Sequence, residues 1–173
     1  MRGRDLRHVR TLASQGTDSV VDMAEHVRQL DLGVSWDPNA PDAVLMSDDR
    51  GRTSLAVRAS VEDADRRSVV LVWTGVLFSS LGAPNDEAIA GHRLYDKGIR
   101  EVLWAGGVEQ SELVKSLEQQ NRVHARHVPT RYDDLEHHVV LLKEGVVEVV
   151  ARALTIERHA GATVDSAVIA LGR

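Results

Sequence analysis

Apolar positions recur in two rhythms along this chain, and the rhythm changes near residue 40. Behind Thr17 and Asp18, the residues Val20, Val21, Ala24, Val27 and Leu30 fall close to a helical repeat, which predicts a helix over 18–32 ended by Gly33. The segment that follows holds Pro38 and Pro41, which neither continue a helix nor enter a central strand. Residues 1–40 thus read as an N-terminal helical arm with a Pro-containing connector, and 41–173 as a separate α+β domain.

Beyond Pro41 the apolar runs are short and separated by turn chemistry. Ala43 to Met46 and Thr53 to Ala59 flank a polar hexapeptide, predicting a hairpin with Gly51 at positive φ. Ser68 to Phe78 is nearly all apolar and reads as one central strand, with Gly75 as a bulge or point of close approach. Glu101 to Ala105 predicts a strand closed by Gly106 and Gly107, and Ser111 opens a helix carrying Leu113, Val114 and Leu117. His138 to Leu142 and Val146 to Ile156 predict a hairpin around Lys143-Glu144-Gly145, with Gly145 left-handed. Val146, Val147, Val150 and Leu154 also fit a helix face, but the density of β-branched residues favours strand. The predicted class is α+β, a mainly antiparallel sheet with helices on one face and an N-terminal helix.

Composition narrows this picture. The 173 residues are 43% hydrophobic and 27% charged, ordinary values for one folded domain, but only 3% aromatic, so Val, Leu, Ile and Ala must fill most of the core. The formal charge of −5 disfavours a nucleic-acid partner, and Arg2, Arg4, Arg7 and Arg10 read as a solvated end. Cysteine is absent, which excludes disulfides and thiolate chemistry. The longest clean apolar run, Val69 to Trp73, is far too short to span a bilayer, and the basic start lacks the apolar stretch of a secretory leader. The expectation is a cytoplasmic protein with no membrane partner. Arginine outnumbers lysine, of which there are only Lys97, Lys115 and Lys143, a bias expected of a GC-rich bacterial genome.

Two polar segments carry the candidate chemistry. The first, 82–98, holds Asn85, Asp86, Glu87, His92 and Tyr95 between apolar runs, and long connections rich in titratable groups are usually functional or disordered. Its plain reading is a capped helical turn with Pro84 at the first position. Its functional reading makes His92 a general acid or base oriented by Asp86 or Glu87. The second, 122–138, holds His124, Arg126, His127, Arg131, His137 and His138, with Thr130 and Asp133 spaced like a capping pair. Glu148 on the neighbouring strand could join these imidazoles around a metal, but the histidine spacing fits no ligand motif, so no metal residues are assigned and no cofactor is named. His137 and His138 would face opposite sides of a strand, so one at most reaches a shared pocket.

Phosphate-loop, dinucleotide-fold and nucleophile-elbow motifs are all missing, and Ser79, Ser80 and Ser111 sit in no recognisable nucleophile context. Two readings follow. In the first, loops 82–98 and 122–138 meet to bind a small polar or acidic ligand, with His92, Asp86 and Glu87 available for proton transfer and Asn85, Tyr95, His124, Arg126, Arg131 and His138 contacting the ligand. The alternative is a non-catalytic interaction, accessory or immunity module, a homo-oligomer joined through helix 18–32 or a sheet edge.

Overall fold

The computed structural model describes residues 24–172. Their strands are β1 (His26–Leu30), β2 (Val44–Ser47), β3 (Arg52–Val57), β4 (Ser68–Thr74), β5 (Phe78–Gly82), β6 (Ala105–Glu109), β7 (Glu136–Leu142), β8 (Gly145–Ala151) and β9 (Ala153–His159); the helices are α1 (Glu112–Asn121) and α2 (Thr163–Leu171). One sheet runs β1-β6-β7-β8-β5 and the other β2-β3-β4-β9, with every ladder antiparallel. The mainly antiparallel α+β expectation therefore holds.

The predicted helix over 18–32 does not. Its described part is β1, and the remainder lies outside the described residues. In a strand, Val27 and Leu30 point to opposite faces. Val27 is buried with Leu94, Ile99 and Val139 on one side, and Leu30 packs on the other. Long-range pairing overrides local spacing here. Val27 lies opposite Val108, and a side chain on neighbouring Gly106 would come within 2.7 Å of Val27 Cγ1, so glycine lets β1 and β6 approach. That pairing also moves the predicted strand 101–105 to Ala105–Glu109, and Ile99–Glu101 becomes a short 3-10 turn.

Both long apolar runs bend at one corner. Ser68 to Phe78 is two strands, not one, because the backbone turns at Gly75 (φ +65°) and passes from the four-stranded to the five-stranded sheet. The run 146–156 makes the reverse passage at Arg152, where the Arg152 N–H donates to Thr74 O (3.0 Å). Sheets that share strands in this way meet at bends of this kind. The hairpin around Lys143 and Glu144 forms as expected, except that Gly145 is paired with Leu142 as the first residue of β8 rather than left-handed. Gly51 does adopt positive φ (74°) between β2 and β3, and Ser111 caps α1 by accepting from the Val114 N–H (3.1 Å).

The main core lies between the sheets, where Leu55, Val57, Val69, Leu71 and Trp73 face Val140, Val147 and Val149. Burial of each such side chain contributes roughly 1.5–3 kcal/mol. Trp36 from the connector enters the same core and donates its indole N–H to Leu141 O (3.2 Å). The outer faces differ. Helix α2 covers the four-stranded sheet through Ala167 and Ala170 against Ala56, Val70 and Val72. Turns of the segment 86–102 cover the five-stranded sheet through Leu94, Ile99 and Val102, and α1 starts at that same face. The helices therefore divide between the two outer faces instead of sharing one.

Candidate functional site

The hairpin register decides which polar groups meet. Val139 lies opposite Glu148 and His137 opposite Val150, so His137 and Glu148 are diagonal neighbours on the outer face of the five-stranded sheet, beside Val139 and Val146. His138 takes the opposite face and enters the inter-sheet core beside Trp73, ring centroids 6.3 Å apart.

Glu148 is a hub. Its side chain is 15% exposed and receives His137 Nε2 (2.9 Å) and Arg93 Nη2 (2.6 Å) on Oε2, with His92 Nε2 at 3.5 Å from Oε1. Burial alone would raise the Glu148 pKa, but the hydrogen bonds from His137 and His92 and the Arg93 charge outweigh it and hold the carboxyl well below the usual range. An ionised carboxylate only accepts, so His137 Nε2 carries a hydrogen, and in the neutral imidazole this leaves Nδ1 as the acceptor. Ser111 Oγ lies 2.8 Å from that Nδ1. The Leu94 N–H likewise donates to His92 Nδ1 (3.2 Å), which turns His92 Nε2–H toward Glu148.

A second carboxylate braces the first. The Glu25 side chain is 1% exposed and accepts from Lys97 Nζ (2.7 Å), Arg93 Nη1 (3.3 Å) and the Glu112 N–H at the start of α1 (2.8 Å). Burial raises its pKa, and the Lys97 hydrogen bond, the Glu112 N–H and the Arg93 charge together bring it below the ordinary value. Arg93 therefore bridges Glu25 and Glu148 and ties β1, β8 and α1 together.

Against this geometry the expected roles redistribute. Asp86 pairs with Lys143 (2.7 Å), and Glu148, not Asp86 or Glu87, is the acid that reaches His92. Asn85 caps a 3-10 turn over Asp86–Gly91 by accepting from Ala88 N–H (3.1 Å), which leaves Pro84 outside the turn. Tyr95 packs on the outer-face core. Thr130 and Asp133 make no side-chain cap; their turn, Pro129–Tyr132, closes through the backbone alone. His138 is held neutral, its pKa lowered to about 4 chiefly by burial. Arg93 and Glu25 were not singled out from the sequence. The signal that was legible is a His and a Glu placed diagonally across a hairpin whose neighbouring outward residues, Val139, Leu141 and Val146, are apolar.

The second polar segment forms a separate cleft. His124, Arg126, Arg131, Tyr132 and Arg152 line a depression of about 490 Å³ with Asn121, Val128 and Leu77. His124 Nδ1 accepts from the Arg126 N–H (3.0 Å), and Arg152 is engaged by Asp134 (3.2 Å) and by Arg131 O (2.7 Å). Among the described residues, the Arg126 and Arg131 guanidinium groups make no ion pair, while His127 is held by Glu118 (2.7 Å) and Asn121 (3.1 Å). This cleft takes no residue from 82–98. The two polar segments instead meet at Glu148, through His92 and Arg93 from one and His137 from the other.

Among the described residues no three histidine or carboxylate side chains are grouped to hold a metal ion, and no helix is long and apolar enough to cross a membrane. Comparison with protein-family models, curated proteins and solved structures finds no match for this chain.

Proposed function

We propose that the protein binds a small acidic ligand in the cleft lined by His124, Arg126 and Arg131. The observation that carries this reading is two guanidinium groups without acidic partners in one depression, on a chain whose formal charge is −5. An acidic protein that keeps unpaired arginines together has fork-shaped donors suited to a carboxylate or phosphate. Tyr132 and Val128 supply the apolar wall, and His124 a further polar edge. Isothermal titration calorimetry at low ionic strength, with inorganic phosphate and a short dicarboxylate as probes, tests it. Wild type is expected to bind one of the two, with affinity falling as salt rises, and Arg126→Ala with Arg131→Ala to bind neither. Equal binding by wild type and the double variant contradicts the reading.

A second reading, a non-catalytic module that pairs with its own copy, is favoured by one feature. Val164, Val168 and Ile169 stay exposed on α2 after Ala167 and Ala170 are buried. Light scattering on the full chain distinguishes a dimer from a monomer.

A further inference from the structure

We infer that Ser111 is a nucleophile for acyl transfer from small carboxylic esters, with His137 as its general base and Glu148 as the group that orients the base. The inference is independent of the arginine cleft.

Three observations carry it. The first is a continuous hydrogen-bonded relay, Ser111 Oγ to His137 Nδ1 at 2.8 Å and His137 Nε2 to Glu148 Oε2 at 2.9 Å. Its polarity follows from the acid end: Glu148 takes the Nε2 hydrogen, which in the neutral imidazole leaves Nδ1 to accept from the Ser111 hydroxyl, while Ser111 Oγ itself accepts from the Val114 N–H. This is the proton arrangement a serine nucleophile needs before attack, with the two ring nitrogens exchanged relative to the usual triad. The second is a neighbouring cleft. Ser111 and His137, both buried, lie at the floor of a depression of about 660 Å³ walled by Val108, Val114, Leu135 and Lys115. Ser111 sits in the tight junction between β6 and α1, where Gln110 holds a left-handed backbone (φ +52°) that non-glycine residues seldom adopt. The third is a spare donor at that helix start. The Glu112 N–H is taken by Glu25, the Val114 N–H by Ser111 Oγ and the Lys115 N–H by Ser111 O; the Leu113 N–H, two residues from Ser111, has no acceptor among the described residues and is the donor we assign to a developing oxyanion.

The chemistry balances without a cofactor. Ser111 Oγ bonds to the ester carbonyl carbon as its proton passes to His137 Nδ1; the bond to the leaving oxygen breaks, and His137 returns the proton to that oxygen, releasing the alcohol. Water then attacks the acyl-serine, its proton going through His137 to Ser111 Oγ, and the carboxylic acid departs. Ester and water give alcohol and acid.

The test uses the full chain, a fluorophosphonate probe and p-nitrophenyl acetate. Wild type is expected to carry the probe on Ser111, located by tandem mass spectrometry, and to hydrolyse the ester. Ser111→Asn keeps a side chain that caps α1 as well as serine does, so it separates nucleophilicity from folding. It should lose the label and at least ~100-fold of the rate. Glu148→Gln, a positioning change, should lower kcat with KM unchanged and move the pH profile. No label on Ser111 in wild type, or equal ester hydrolysis by Ser111→Asn, overturns the inference.

Discussion

The two sheets present opposite kinds of outer face. Under α2 the four-stranded sheet offers Ala56, Val70 and Val72 to Ala167 and Ala170, a contact built from small apolar groups. The five-stranded sheet offers Glu148 and His137 among valines, and the segment above it answers with His92 and Arg93 while Glu25 joins from the residue before β1. The first face needs only shape and dispersion. The second encloses two carboxylates whose burial is tolerable only because each is surrounded by donors, so it is exacting about residue identity. The lesson is that the conformational demand and the candidate chemistry lie together on one side of the molecule.

That contrast can be broken from either side. Glu148→Ala removes the acceptor shared by His137, His92 and Arg93 and should cost about 3–5 kcal/mol in chemical denaturation. Ala167→Val under α2 adds volume to a packed contact and should cost less, about 1–3 kcal/mol. A smaller loss for Glu148→Ala than for Ala167→Val would erase the distinction.

Acid separates the inter-sheet core from the outer face. His138 has a folded pKa of about 4 against an ordinary 6.5, so the unfolded chain binds its proton first and stability falls as pH drops between these values. Each pH unit in that window is worth about 1.4 kcal/mol, about 3 kcal/mol in total. Glu25 and Glu148 act in a lower window. Their folded pKa values are depressed, so their contribution is present above the ordinary carboxylate range and is lost as pH falls through the folded values. Urea midpoints across pH should show both phases, and His138→Leu should flatten the upper one only. An unchanged upper phase in that variant would refute the assignment.

Smaller effects sharpen the picture. Trp36→Phe keeps the ring but leaves Leu141 O without its donor, a loss of about 1–2 kcal/mol by thermal melting. Val168→Lys on the exposed side of α2 should change stability by less than about 0.5 kcal/mol. If the same substitution lowers the mass seen by light scattering, that face is an interface between copies.

Local chemistry was legible in the sequence and long-range pairing was not. The Ser111 cap, the turn at Gly51 and both hairpins depend on neighbouring residues, and each could be read from turn and cap signals. β1 could not, because its pairing is decided some eighty positions away at β6, where Gly106 permits the approach. The corner at Gly75 and Arg152 was hidden for a similar reason: an apolar run shows burial but not which sheet buries it. Helix α2 carries no side-chain cap at Ala162 and has valines on its exposed side, so it lacked both a start signal and a polar face. Of the candidate site, the histidines and arginines were visible as types, and the prediction that His137 and His138 part to opposite faces follows directly from strand geometry. The acid partner was assigned by sequence proximity to Asp86 or Glu87, whereas hairpin register supplies Glu148.

The wiring of the outer face is most directly tested by the ring nitrogens of His137. Nitrogen NMR of the histidine-labelled protein at mildly alkaline pH should show His137 as the Nε2–H tautomer, with Nδ1 accepting a hydrogen bond that is lost in Ser111→Ala. An Nδ1–H tautomer, or Nδ1 signals indifferent to Ser111→Ala, would contradict the account.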